Sequence, residues 1–198
     1  MFTIQQSASG VTEVKGSKFI TVLTPYNQFA QSMAEMRSTH SKAGHFVYAS
    51  RFFNEHDQIV ENQSDDGEPK GSSGKPTLGV LAGKQLVNTA AITARYFGGT
   101  KLGVGGLVRA YSEAANLAIE NAELVPFVFT TQITAHVDYA FFDKFQHMIA
   151  GYDIVSMEKR FGASTVICEI VLSRDLLSTI QDLFKENLAV KIELTRCD

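Results

Sequence analysis

Cysteine is scarce in this chain of 198 residues: Cys168 and Cys197 stand far apart and form no CxxC. Two isolated thiols do not make a zinc site, and Cys168, inside the apolar alternation from Val166 to Leu172, reads as a buried free thiol. Charge of one sign is not in excess either. Lys plus Arg number 18 against 21 Asp plus Glu, a net charge of −3, so no diffuse field draws the chain to nucleic acid or anionic membrane. Any RNA contact has to be a local patch. No apolar run approaches the roughly 20 residues of a membrane span. The N-terminus also lacks the basic-then-apolar layout of a signal peptide, so the expected location is the cytoplasm, with no membrane contact. Missing too are the P-loop string, a GxGxxG with a downstream ribose acid, and a GxSxG nucleophile setting. A hydrophobic share of 44% remains, enough to fill the core of one large domain or two small ones.

What the chain has in unusual density is glycine at one place. Arg95 to Tyr111 reads RYFGGTKLGVGGLVRAY, with Gly98, Gly99, Gly103, Gly105 and Gly106 inside nine residues. Before it, Ala90, Ile92, Ala94 and Tyr96 alternate with Thr89, Ala91, Thr93 and Arg95 at strand period. After it, Leu107, Ala110, Tyr111, Ala114, Leu117 and Ala118 recur at helical spacing up to Asn121. The segment is therefore strand, glycine loop, helix. Such a junction aims free N–H groups and the positive end of a helix dipole at whatever lies above it, and an anion is the natural occupant. Arg95, Lys101 and Arg109 flank the loop and complete a candidate anion or nucleic-acid site. On the plainer reading the glycines make a tight turn and let the helix pack closely, and each cation is a solvated surface charge; five glycines exceed what a turn needs.

Upstream, Val11 to Tyr26 carries Phe19, Ile20, Val22 and Leu23 around Gly16, a hairpin or two short strands. Asn27 is placed to cap a helix running to about Arg37 with Phe29, Met33 and Met36 on its core face. Phe46 to Phe53 is expected to be a central strand, and Ile59 and Val60 a short one. Ser64 to Pro76, SDDGEPKGSSGKP, has no apolar residue but its prolines. It is expected to be loop throughout, of a length that marks function. Leu78, Leu81, Ala82 and Leu86 then mark a helix ending near Asn88.

Asp65, Asp66 and Glu68 offer oxygens that suit a hard cation, and with His40 and His45 they form a conceivable catalytic acid/base set. Their spacing is not that of an EF-hand, and acids in a turn ordinarily accept backbone hydrogen bonds, so no metal or cofactor is assigned. His45, on the plainer reading, hydrogen-bonds a loop carbonyl. A bare helix start needs acceptors, and these acids are the densest source of them. Ser64–Pro76 and Gly98–Gly106 are therefore expected to meet in space.

Beyond Asn121, Phe127 to Val137 alternates as a strand, and Phe141, Phe142, Phe145, Met148 and Ile149 mark an amphipathic helix ending at Gly151. Ile154 to Phe161 and Thr165 to Leu172 form a hairpin across Gly162 and Ala163. Leu176, Leu177, Ile180, Leu183 and Phe184 line one face of a helix starting at Ser173 or Asp175, and Val190 to Leu194 is a last strand. The order βαββαβ is the ferredoxin-like arrangement. The fold class is α+β with two domains, residues 1–125 and 126–198, joined near Glu123 to Pro126.

Taken together, SDDGEPKGSSGKP and RYFGGTKLGVGGLVRAY resemble the IMPACT family, an uncharacterised family with bacterial YigZ-type members. The likeness covers about Val11 to Asn121, and the second domain resembles the ferredoxin-like module of the bacterial members. It implies a first domain similar to domain IV of elongation factor G and to a ribosomal-protein-type α/β sandwich, with helices on one side of a four-stranded sheet. The second domain would be similar to domain V of that factor. Two positions depart from the family. Lys42 stands in or near the place of an acid between His40 and His45, which weakens any acid-dependent role there. Lys70 replaces a commonly small residue and adds positive charge beside the glycine loop. Eukaryotic members look like translational regulators that act through an extra N-terminal domain, which this chain is expected to lack.

Three readings follow. In the first, a translation-associated regulatory protein docks on ribosomal or other structured RNA through the glycine loop, Arg95, Lys101, Arg109 and Lys70. In the second, an enzyme acts on a phosphate-bearing small molecule with His45, Asp65, Asp66 and Glu68 around an anion or metal. In the third, a protein–protein adaptor uses the exposed sheet face of the second domain.

Overall fold

The computed structural model describes residues 1–195, and Cys197 lies outside the described residues. The chain is a mixed α/β protein divided into a unit Met1–Phe127 and a unit from Val128 onwards. In the first unit the elements are β1 (Phe2–Thr3), β2 (Ala8–Val14), β3 (Ser17–Pro25), α1 (Phe29–Thr39), β4 (His45–Phe53), β5 (Ile59–Ser64), α2 (Gly74–Gly83), β6 (Thr89–Tyr96), α3 (Gly103–Glu120) and β7 (Val125–Pro126). The short β1 and β7 pair with each other, Phe2 opposite Pro126.

The remaining strands form one antiparallel sheet in the order β2-β3-β6-β4-β5. The aromatic strand from Phe46, β4, is interior, between β6 and β5, and the middle strand is β6. Small residues explain this: Thr89–Arg95 is buried throughout, because alanines and threonines let helices close on both faces of the strand. Phe19, Leu23, Val47, Ala49 and Ala91 pack on one face against Leu81 of α2 and against Leu107, Tyr111, Ala114 and Ala118 of α3. Phe46, Ile92 and Ala94 pack on the other against Met36, with Phe29 and Met33 partly buried beside it. The sheet thus has five strands and helices on both sides, whereas the resemblance implied four strands with helices on one side. The methionine stripe of α1 supplies the second layer.

Several boundaries differ from the sequence reading. Asn27 does not cap α1. It lies in a 3-10 turn at Tyr26–Gln28, and α1 starts after Gln28 with no side-chain cap. α2 begins at Gly74, inside the stretch expected to be loop, because Pro76 is tolerated in a first turn whose N–H groups have no intrahelical partner. It stops at Gly83 rather than near Asn88, and Gln85 turns the chain with a φ of 54°. The loop proper is therefore residues 65–73. α3 begins at Gly103, so Gly103, Gly105 and Gly106 belong to its first turn rather than to the loop.

In the second unit, β8 (Thr130–Asp138), α4 (Phe142–Ile149), β9 (Ile154–Phe161), β10 (Thr165–Ser173), α5 (Arg174–Phe184) and β11 (Val190–Thr195) follow in chain order. Its antiparallel sheet has the order β11-β8-β10-β9. Strict alternation buries Val166, Cys168, Ile170 and Leu172 of β10 against Phe145 and Ile149 of α4 and Ile180 and Phe184 of α5. Burial raises the pKa of the Cys168 thiol, with Lys159 opposing it. The Gly162 N–H donates to the Thr165 carbonyl and closes the β9–β10 hairpin.

Candidate functional site

Arg95 lies near the end of β6, paired across strands with Phe19 of β3 and His45 of β4. The sequence reading treats it as a surface cation, but it is only 6% exposed. Its Nη1 donates to Glu68 Oε1 at 2.6 Å, and the Tyr111 hydroxyl donates to the same oxygen at 2.8 Å. His45 Nε2 lies 3.9 Å from that carboxylate oxygen. Burial, and then the neighbouring Glu68 charge, drive the Tyr111 phenol far above the usual tyrosine pKa. The buried cation needs this carboxylate, since an unpaired charge in such a place costs several kcal/mol. Arg95 packs against the rings of Phe19 and Phe97, at 5.4 and 5.8 Å from their centroids. Among the described residues its Nη2 reaches only Ser17 Oγ, at 3.5 Å, and its Nε has no partner. The Ser17 hydroxyl also accepts the Gly98 N–H at 3.1 Å, which ties the glycine stretch to the β2–β3 turn.

The acids of the 65–73 loop serve its backbone. Asp65 Oδ1 accepts from Ser73 N–H, Ser73 Oγ and Gly74 N–H, and its Oδ2 accepts from Gly71 N–H, over 2.7–3.1 Å. Burial opposes ionisation of Asp65, but these hydrogen bonds, led by that from Ser73 Oγ, outweigh it and hold the pKa below the ordinary value. Asp66 Oδ2 accepts the Phe46 N–H at 2.6 Å, and its Oδ1 lies 3.7 Å from Arg37. The Asp66 carbonyl is 2.8 Å from His45 Nδ1. A carbonyl only accepts, so Nδ1 carries the proton, in agreement with the plainer reading of that histidine. His40 Nδ1 meets the Tyr96 hydroxyl at 3.1 Å.

In the structure each acid of the acid/base set has a partner within the fold. Asp65 caps α2, Asp66 fixes β4 and Glu68 neutralises Arg95, and among the described hydrogen bonds none of the three accepts from the start of α3. The physical reason is proximity along the chain: a loop of small polar residues must satisfy its own backbone first, and α2 starts directly after it.

The two unusual stretches nevertheless share one cleft of about 350 Å³, lined by Glu68 and Pro69 together with Arg95, Phe97, Lys101 and Val104. Phe97 is 59% exposed and Val104 58%. Leu102, at the N-cap of α3, gives no side-chain cap bond, and Gly103 and Gly105 in the first turn are exposed. Gly98 is required by close approach, since a Cβ there would overlap the Gly16 backbone, and Gly99 by a φ of 83°. Gly105 is under neither demand: a Cβ there would meet only Arg109 Nη1, at 3.8 Å. Arg109 therefore folds back over the first turn of α3. Lys70 is exposed next to Pro69. Among described residues, the sequence reading missed Phe97, Ser17 and the hydroxyl role of Tyr111. Phe97 had a signal, a large apolar residue directly before glycines. Tyr111 counted only as one more apolar position of a helical repeat.

A family described as Impact N-terminal domain matches residues 15–119. An IMPACT family member of Haemophilus influenzae is 34% identical over 155 residues, 77% of this chain and 75% of the relative. The IMPACT family member YigZ of Escherichia coli is 36% identical over 132 residues, 65% of each chain. A crystal structure of a hypothetical protein aligns with 100% of this chain and 97% of its own, with a TM-score of 0.67 at 25% identity.

Proposed function

The chain belongs to the IMPACT family, and from that premise we propose that it is a translation-associated regulatory protein that docks on ribosomal or other structured RNA through the rim of the α3 cleft. The observation that carries this reading is the sorting of charge at the cleft. Glu68, its lining acid, is buried and spent on Arg95, so Lys101, Arg109 and Lys70 leave the exposed rim positive on a chain whose net charge is −3. Phosphate contacts by such cations, together with an aromatic face for an unstacked base, are how proteins hold RNA, and Phe97 offers that face. In this reading the working position is cytoplasmic; among the described residues no helix is long and apolar enough to cross a membrane.

Two finer assignments go with it. The second unit is ferredoxin-like, supported by the βαββαβ order and the β11-β8-β10-β9 sheet. The first is related to domain IV of elongation factor G, which rests on the family resemblance.

The test is binding to ribosomes and to structured RNA at near-physiological salt. Lys101→Ala and Arg109→Ala should each weaken all sequences alike and flatten the salt slope by up to about one unit. Undetectable binding, or binding that both substitutions leave untouched, sinks the proposal.

A further inference from the structure

We infer that the α3 cleft holds a single 5′-phosphorylated nucleotide, its phosphate at the start of α3 and its base against Phe97. The inference rests on the RNA-docking reading of the same rim and names what enters it. Three independent features converge there. The first is the phosphate end. Leu102, at the N-cap of α3, has no side-chain oxygen to cap the helix, and N–H groups left without an intrahelical partner at a helix start are available to an anion. Gly105 leaves that turn bare although neither its φ nor its packing demands glycine, and Arg109 Nη1 lies over it. Lys101 lines the cleft beside it.

The second feature is the floor. Arg95 lines the cleft, and its side chain is 7% exposed. Of the five donors of a guanidinium, one makes the short bond to Glu68. The Nε–Nη2 edge has the distant Ser17 hydroxyl and nothing else among the described residues. A buried donor edge of this kind is completed by an acceptor pair such as two oxygens of a phosphate.

The third feature is the wall. Phe97, Val104 and Pro69 give the cleft flat apolar sides, and the exposed ring of Phe97 suits stacking of a base. A volume of about 350 Å³ sits at the lower end of the roughly 300–1,000 Å³ typical of small-ligand sites, which fits one nucleotide and excludes a duplex. Inorganic phosphate alone would leave the walls unfilled, and a nucleoside alone would leave the helix start unpaired. The same chemistry is available from two sources, a free nucleoside 5′-monophosphate and the 5′-terminal nucleotide of an RNA.

Calorimetric titration of the full chain with AMP, adenosine and inorganic phosphate tests the ligand class. A single-stranded RNA hexamer with a 5′-phosphate, against the same hexamer with a 5′-hydroxyl, tests the source. AMP should bind one to one and at least about tenfold tighter than adenosine or phosphate, a gap of about 1.4 kcal/mol. Phe97→Ala should weaken AMP by about tenfold, and Lys101→Glu should weaken AMP while leaving adenosine unchanged. Arg95→Lys should also lose AMP, but it disturbs a buried pair and can unfold the chain; Phe97 and Lys101 are exposed and keep the test decisive.

Preference for the 5′-phosphate hexamer assigns the RNA end as the source. AMP binding without that preference assigns the free nucleotide. AMP no tighter than phosphate, or indifferent to Phe97→Ala, overturns the inference. If ribosome binding that depends on Lys101 persists in that case, the docking reading survives while the nucleotide site falls.

Discussion

Asp65 shows how much one carboxylate does in this fold. Its two oxygens take four hydrogen bonds from Gly71, Ser73 and Gly74, so it closes the 65–73 loop and caps α2 from a distance along the chain. Asparagine in its place has one acceptor oxygen and would turn an amide donor towards a backbone N–H. Asp65→Asn should therefore cost about 2 kcal/mol, the scale of a lost cap plus charge-assisted bonds, read as a lower Tm. The pH dependence has a fixed sign. The folded pKa of Asp65 lies below its ordinary 3.8, so its contribution is complete above that value and disappears as pH falls through the lower folded one. The Tm difference between wild type and Asp65→Asn should be constant from about pH 5 upward and close in stronger acid. A difference that stayed constant into strong acid would remove the carboxylate charge from the explanation. Glu68 and Arg95 are a contrasting case, because there the carboxylate answers a buried cation rather than backbone N–H groups.

Among the elements, β2 and α3 pack with their backbones in close approach. At Gly10 a Cβ would come within 2.6 Å of the Ala118 nitrogen and 2.8 Å of the Leu117 carbonyl carbon. Backbone cannot yield as a flexible side chain can, so Gly10→Ala should force strand and helix apart and cost about 1–3 kcal/mol. Gly79, exposed in α2 with nothing within 4 Å of its Cβ position, makes the opposite case: Gly79→Ala should stabilise by up to about 1 kcal/mol through helix propensity. Denaturant midpoints of the two variants should move in opposite directions from wild type. A shift of Gly10→Ala in the stabilising direction would show that the two elements have slack between them.

On the scale of the whole molecule, each unit has its own core. Every buried member of the second unit's cluster, from Ile133 to Val190, lies beyond residue 127. The three clusters of the first unit draw only on residues between Ile4 and Leu124. The β1–β7 pair keeps both ends of the first unit inside its own hydrogen bonding. A chain of residues 1–127 should therefore unfold cooperatively by itself, with a single thermal transition; a sloping, non-cooperative melt would show that its core depends on the remainder.

Periodicity and composition, which are local properties, determined a good part of this protein. The strand-to-helix passage around the glycines, the core face of α1 with Met33 and Met36, the βαββαβ order and the loop acids as backbone acceptors were all legible in the sequence. So was the carbonyl partner of His45. What the tertiary structure decided were the partners of charges and the order of strands. Arg95 alternates like any strand residue, and its burial depends on Glu68, 27 positions away in the chain, and on Tyr111 from a third element. Phe97 became a cleft wall because the chain around it folds the 65–73 loop against the start of α3. The central place of β6 depends on helices closing over both of its faces. Burial and ion pairing are set by what arrives from elsewhere in the chain, and a local pattern carries no record of that.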